Sequence, residues 1–521
     1  MSHINSLPLS VLAQILRKAA LPLAGSLHVW KEKLPLLAVC RAWAKLAEPF
    51  VFSQAFVEIL EACDYKYGLY EELKPDTHST LVAWTSNAEL VISRNCMLMT
   101  KRLEIWMPSD ITCDNLQHLV LGTLKLDHVD WTHVNTLSIG CQYWLCEHSI
   151  EPIVIDEQVV VEVKRTIQYF GQNMRGIVEL NLNCLNNKDI VDLAYTNLAT
   201  IYGRQLQVLR TAVPVALGFS YLWNIAVLEL SLDVTVAPVI PSVCGETLKV
   251  LKLDNVPHNF AWHHYRYDIY TRPIVFCRLT ILHLSYKRNP ATMDEIQSKV
   301  ASGALNCDQL VFPVLKRLFI RNCTPDCDLL YAEAPFPELR SVHLSGLLHE
   351  ISHCSRLKLV WVRDLHIKLD LTGKEEAVQI CNVTNHFFSS ICIGQTAILD
   401  IAIGRFTLDP ELIRWINLTS LELDLICYKV LCRVIARCPN IAHVWTYSLD
   451  FGVTTLESLA MDKSLFSSAD ALIPWGAKLA SFTIVTFGKD SSFESRLRAF
   501  INALKNSYPH LAKISFGSSI T

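Results

Sequence analysis

The sequence predicts an α/β chain, an irregular array of short parallel strands joined through helices and preceded by a small helical segment. Three observations predict it. One apolar spacing recurs along most of the chain, the residue enclosed by its last two apolar positions is mostly polar, and the first fifty residues carry helical spacing instead. Composition agrees. At 521 residues the chain is too long for one simple core. With 51% apolar and 19% charged residues it reads as folded around an extended interior, not as disordered. A net charge of −3 gives no reason to expect nucleic acid or an anionic membrane as the main partner.

Two helices come first. Val11, Leu12, Ile15, Leu16 and Ala19 make one apolar stripe. Leu36, Val39, Cys40, Trp43, Leu46 and Ala47 make a second, and Pro49 is expected to stop it. Each stripe is wider than a two-helix hairpin buries within itself, so a partner or the adjoining domain is expected to cover the rest.

From about residue 100 onward, apolar residues recur at positions 0, 3 and 5 of a short unit. Examples are Leu116/Leu119/Leu121, Val134/Leu137/Ile139, Ile177/Leu180/Leu182, Ile225/Leu228/Leu230 and Leu248/Leu251/Leu253. The series continues with Leu279/Leu282/Leu284, Leu315/Leu318/Ile320, Leu339/Val342/Leu344, Leu418/Leu421/Leu423, Leu479/Phe482/Ile484 and Leu511/Ile514/Phe516. Ile441/Val444 begins another, with Thr446 at the last position. This is the L-x-x-L-x-L core of a leucine-rich repeat. On a strand, positions 3 and 5 share a face and position 4 points the other way. Position 4 reads Val120, Ser138, Asn181, Glu229, Lys252, His283, Phe319, His343, Glu422, Trp445, Thr483 and Ser515. A mostly polar column between two aliphatic ones marks strands with one buried face. The interval from Leu339 to Leu418 is long, and weaker repeats are expected around Leu357–Val362 and Ile398–Ile403.

Helices are expected between strands: one opening at Thr372–Ile380, one over Tyr428–Cys438 with Val430, Leu431, Val434 and Ile435 on one face, and one over Ser492–Ser507 with Phe493, Leu497, Phe500, Ile501 and Leu504 at helical spacing. Strand and helix restarted every few dozen residues build an α/β solenoid, with parallel strands on the concave face and helices outside. A doubly wound sheet would show longer apolar strands and a Gly-rich phosphate turn. A β-propeller would not interpose helices.

The N-terminal residues also carry a family resemblance. Leu7-Pro8, then Leu12, Ile15 and Leu16, then Val39-Cys40-Arg41-Ala42-Trp43 stand in the order seen in F-boxes, the helical modules that join a protein to the Skp-type adaptor of a cullin-based ubiquitin ligase. The resemblance implies that Leu7, Pro8, Leu12, Ile15, Leu16, Val39, Cys40 and Trp43 contact the adaptor or hold the fold around it. The chain departs from the pattern at Ala20–Lys33, which is longer than the usual connection, contains Pro22 and Gly25, and lacks the usual acidic turn. The whole resembles F-box/leucine-rich-repeat proteins of divergent fungal families. Ala88–Cys96 followed by Lys101–Ile105 fits the transitional first repeat of such proteins.

Motifs of chemistry are scarce. The chain lacks G-x-x-x-x-G-K-[ST], G-x-G-x-x-G and G-x-S-x-G. Cys323/Cys327 and Cys427/Cys432 do not have zinc-pair spacing, and no metal or cofactor is expected. His349, His353 and Cys354 lack the glutamate of a metalloprotease helix and read as a structural loop. His263-His264 lie in an aromatic insertion (Phe260, Trp262, Tyr265, Tyr267, Tyr270) that reads either as a binding loop or as an excursion packed on itself. The N-terminus has no basic-then-apolar leader, so a cytoplasmic or nuclear chain is expected, its 18 cysteines reduced. Three glycosylation-like triplets, at Asn322, Asn382 and Asn417, then carry no meaning. Thr211–Leu228 is uncharged, but Pro214, Gly218, Ser220 and Asn224 interrupt it, so a membrane span is not expected.

The expected organisation is an F-box-like module over 1–55, a transition over 56–100 and a repeat solenoid over 101–521. The expected function is non-enzymatic: a substrate-recognition subunit that binds the Skp-type adaptor and its cullin scaffold at one end and a protein substrate at the other. Its substrate contacts would come from Asn181, Glu229, Lys252, His283, Phe319, His343, Glu422 and Trp445. The alternatives are a repeat scaffold with no ligase role and an enzyme with a motif-free site.

Overall fold

The computed structural model describes residues 8–19, 35–60, 81–82, 88–107, 131–141, 161, 169, 171–183, 197–198, 200–215, 224–232, 244–256, 274–286, 310–322, 336–346, 362–369, 396, 398–402, 415–451, 478–485, 491–508 and 510–516. The chain divides into two compact units, Met1–Leu248 and Lys249–Thr521.

The first unit opens with α1 (Leu9–Ala19), the short α2 (Pro35–Ala38) and α3 (Arg41–Val51). Leu12 and Leu16, four residues apart, turn inward from α1, and Ala47 and Val51 turn inward from α3. Pro49 does not stop α3, which runs on to Val51. Pro49 has no N–H to donate to the Lys45 carbonyl, so the helix gives up that one bond and runs on for two residues more.

Strands follow: β1 (Gln54–Leu60), β2 (Leu81–Val82), β3 (Arg102–Met107), β4 (Thr136–Cys141), β5 (Glu179–Asn183), β6 (Val208–Val215) and β7 (Val227–Leu232). Between β2 and β3 comes α4 (Ala88–Ser93), and α5 (Cys244–Thr247) closes the unit. β1 pairs parallel with β3, and β3 to β7 pair parallel in sequence order. β2 pairs antiparallel with the end of β1. The uncharged Thr211–Leu228 segment has β6 at one end and β7 at the other. Among the described residues, no helix is long and apolar enough to cross a membrane.

The second unit contains β8 (Val250–Val256), β9 (Ile274–Val275), β10 (Ile281–Tyr286), β11 (Leu310–Val311), β12 (Arg317–Arg321), β13 (Ser341–Gly346), β14 (Asp364–Leu369), β15 (Ile398–Ala402), β16 (Ser420–Cys427), β17 (His443–Asp450), β18 (Ser481–Ile484) and β19 (Lys513–Phe516). β9 and β11 form a separate parallel pair. The others pair parallel in sequence order from β8 to β19. Helices α6 (Tyr428–Arg437) and α7 (Ser491–Ser507) match the two expected there. Parallel strands in consecutive order, one per repeat, are the arrangement of a leucine-rich-repeat-like α/β solenoid.

Register follows the sequence pattern. Leu282 stands opposite Leu251 and Leu318, and Leu284 opposite Leu253 and Ile320. Of the expected repeats, those starting at Val134, Ile177, Ile225, Leu248, Leu279, Leu315, Leu339, Leu418, Ile441 and Leu479 bury all three core positions. Leu511 and Ile514 are half-buried. The weak repeat sought at Leu357–Val362 instead begins at Val362, with Leu365 and Ile367 in the core.

Three further regularities complete the repeat. First, position 1 supplies a carbonyl that accepts from two successive amides of the next repeat. Thr136 and Asn135 donate to Lys101, Val178 and Glu179 to Asn135, Lys316 and Arg317 to Thr280, and Arg340 and Ser341 to Lys316. These shared acceptors tie repeat to repeat whatever the length of chain between them. Second, the residue three before position 0 is buried in most described repeats, as Trp131, Met174, Phe276, Phe312, Trp415, Cys438 and Tyr508 show. Its carbonyl accepts the amide of position 0 in a tight turn, for example Phe312 to Leu315 and Trp415 to Leu418. Phe276 and Phe312 stack with centroids 5.2 Å apart, and Phe336 continues the stack at 5.8 Å. Third, position 7 takes a positive φ in three repeats, at Asn255 (56°), Asn322 (53°) and Gly346 (149°). Asparagine and glycine tolerate that backbone best. The Asn322 amide also donates to the Tyr286 carbonyl at 3.0 Å.

Candidate functional site

Two surfaces stand out: the N-terminal helices and the outward face of the strands. On the helices, the eight residues picked out by resemblance separate by burial. Leu12 and Leu16 are buried and hold α1 in place. Pro8 is exposed, as are Ile15 and Val39, while Cys40 and Trp43 are half-buried. Leu7 lies outside the described residues. Leu9 and Val11 are also exposed. Leu9, Val11, Ile15 and Val39 are four of the ten large apolar side chains exposed among the described residues. Among the described residues, large apolar side chains therefore meet solvent more densely here than in the rest, although single exposed apolar residues are ordinary.

On the outward face of the first unit, register sets Glu104, Ser138, Asn181, Arg210 and Glu229 in one row, one residue per strand from β3 to β7. Arg210 organises its end. Its Nη1 lies 2.5 Å from Glu179 Oε1, its Nε 3.2 Å from Glu229 Oε1, and it donates to Asn181 Oδ1 at 3.1 Å. Asn181 in turn donates to Ser138 Oγ at 2.9 Å. Asn181 is buried by this network, and Glu229 has its cation inside the chain.

The corresponding row of the second unit reads Lys252, His283, Phe319, His343, His366, Asp400, Glu422, Trp445, Thr483 and Ser515 from β8 to β19. Its middle is a stack of rings. Centroids are 5.5 Å apart for His283–Phe319, 4.3 Å for Phe319–His343 and 4.0 Å for His343–His366, the last pair only 1° from parallel. Burial, then the neighbouring His366, pushes the His343 imidazole down to about 4. His366 Nδ1 lies 3.1 Å from Asp400 Oδ2. Beyond Asp400 the row turns acidic and then aromatic. Glu422 stands directly opposite Asp400, and Asp424 follows two residues along β16. Both carboxyls are raised, first by burial and next by Asp400. Trp445 stands opposite Glu422 and meets Tyr447 edge-on at 4.4 Å.

All eight residues expected to line the binding surface thus lie on the outward rows. Glu104, Arg210, His366 and Asp400 share those rows and were not singled out from sequence. Three of these repeats hide behind threonine: Thr100, Thr211 and Thr396 occupy core positions otherwise aliphatic, whereas the His366 repeat has Val362, Leu365 and Ile367 there. Cys432 and Cys438 are buried, and burial pushes the Cys438 thiol up to about 12. Among the described residues no group of three or more His, Cys, Asp or Glu is arranged to hold a metal. Leu116–Leu121, the Thr372 helix, His263-His264, Cys323/Cys327 and His349/His353/Cys354 lie outside the described residues.

No family model matches the chain, and no curated protein does. Among solved structures, a leucine-rich-repeat protein of Leptospira interrogans is similar over 80% of this chain and 90% of that one, at 10% identity and a TM-score of 0.24. The repeat architecture rests on this chain's own strand order and register.

Proposed function

We propose that this chain is a non-enzymatic, protein-binding repeat protein whose N-terminal helices dock on the Skp-type adaptor of a cullin-based ubiquitin ligase. The repeats would then present a protein substrate to the ligase. The observation that carries the reading is the concentration of exposed apolar side chains at Leu9, Val11, Ile15 and Val39, on helices whose sequence resembles an F-box. Leu12 and Leu16 serve the fold, and Pro8, Ile15 and Val39 offer the contact. The mechanism is proximity: tethering a target near the charged conjugating enzyme raises its effective concentration to about the millimolar range for a short flexible link.

The test is co-purification of the adaptor with the full chain, comparing wild type with Ile15→Glu/Val39→Glu. Both residues are exposed, so the variant should keep its urea midpoint. Charges set into an apolar contact should lower adaptor recovery by about tenfold or more. Equal recovery by both proteins counts against the docking face. No recovery by wild type leaves a repeat scaffold without a ligase role.

A further inference from the structure

We propose that the outward face of β15 to β17 seats an arginine-bearing segment of a protein partner, with the guanidinium held by Asp400 and Glu422 and packed on Trp445 and Tyr447. The inference deepens the reading of the repeats as a protein-binding surface and rests on it.

The charge pattern argues for a cationic partner. Asp400 and Glu422 are register partners on adjacent strands, where like charges oppose each other and destabilise the pair. Asp424 adds a third carboxylate on the same face. The nearest opposite charges do not neutralise them. His366 engages Asp400 from one side only, and among the described residues no cation lies within ion-pair distance of Glu422 or Asp424. The first unit shows the contrast: there Arg210 stands between two glutamates and closes the network internally. On β15 to β17 no described residue stands between the carboxylates in this way, Lys368 acting on Asp424 only from beyond ion-pair distance, and a partner's cation would complete the row.

The aromatic pattern narrows the cation. Trp445 is half-buried beside Glu422, and Tyr447 is exposed at 39% in the row beside Asp424. Their edge-on packing leaves ring surface next to carboxylates. A planar guanidinium uses both at once, accepting a bidentate carboxylate in its plane and a ring against its face, while a compact ammonium uses mainly the charge.

The experiment measures binding of fluorescent nine-residue Gly/Ser peptides to the full chain at physiological salt. One peptide carries three arginines, and the others carry three lysines, three citrullines or three glutamates. The expected order is arginine first, lysine weaker, and citrulline and glutamate without detectable binding. Asp400→Asn/Glu422→Gln should weaken the arginine peptide about tenfold, as should Trp445→Ala by about fivefold. Glu338→Gln/Glu494→Gln, with the same change of net charge at exposed positions elsewhere, should bind as wild type. The Asn/Gln pair keeps the shape of the face, and a preserved urea midpoint confirms its fold.

Equal binding by the Asp400/Glu422 variant and wild type overturns the proposal. So does an equal loss in the Glu338/Glu494 control, or absence of binding by the arginine peptide. Preference for the citrulline or glutamate peptide overturns the basic partner while leaving a protein-binding face in place. Adaptor recovery, read at Ile15 and Val39, is scored separately and decides the ligase reading by itself.

Discussion

His343 sits between the rings of Phe319 and His366, and its surroundings decide how acid acts on the second unit. The folded protein holds this imidazole neutral down to about pH 4, whereas an unfolded chain takes up the proton near the ordinary value of about 6.5. Between those two values the unfolded state binds the extra proton, so stability falls as pH drops through the window and levels off below it. Full burial would make the loss about 3 kcal/mol, and half-exposure screens it to about 1–2 kcal/mol. Urea titrations of wild type and His343→Phe at pH 7 and pH 4.5 measure it. Wild type should lose that much more than the phenylalanine variant, which keeps the stack without the titrating group. Parallel losses in both proteins would remove His343 as the source. The row itself was readable in the sequence because it alternates with leucines. The titration was not, because it comes from burial and from the His366 ring stacked on His343, and apolar spacing reports neither.

Helix α7 shows what an element contributes. Its apolar spacing was plain in the sequence, and Leu497, Phe500, Ile501 and Leu504 do form its buried side. What the spacing does not say is where that side goes. Phe500 meets Phe482 of β18 at 5.9 Å, Phe451 at 6.1 Å and Tyr428 of α6 at 6.4 Å. One ring therefore joins both helices to the strands. Phe500→Ala should cost about 3–5 kcal/mol, because the cavity is bounded by three separate elements that cannot all close on it. Phe500→Leu should cost less than half as much. A urea midpoint unchanged by the alanine substitution would mean that α7 is not held through this ring. Threonine explains why two of the expected strands look weak in the sequence. At Thr100 and Thr396 a residue shaped like valine fills position 0, and its hydroxyl donates to the position-0 carbonyl of the preceding repeat, Phe52 at 3.0 Å and Val362 at 3.2 Å. A search for aliphatic residues alone finds only the last two core positions of each.

At the scale of the molecule, regularity comes from contacts between neighbouring repeats, not from equal spacing along the chain. In most described repeats the position-1 carbonyl binds the repeat that follows, and core residues stand opposite core residues on the neighbouring strands. Stability in such an array is approximately a sum of repeat terms and nearest-neighbour terms. A cavity in one repeat should then loosen its neighbours most and distant repeats least. Leu318 lies on β12 between Leu282 of β10 and Val342 of β13, and it is fully buried. Leu318→Ala should cost about 2–5 kcal/mol locally. In native-state hydrogen exchange, amides of β10, β12 and β13 should lose most protection, and the loss should fade along the strand order toward β18 and β19. The readout discriminates between two kinds of molecule. A single cooperative core would lose protection by the same amount at every strand of the unit, and that outcome would defeat the nearest-neighbour account. A graded loss would mean that the acidic-aromatic face on β15 to β17 keeps its geometry when repeats at the other end of the unit are altered, leaving its side chains open to variation independent of the fold that carries them.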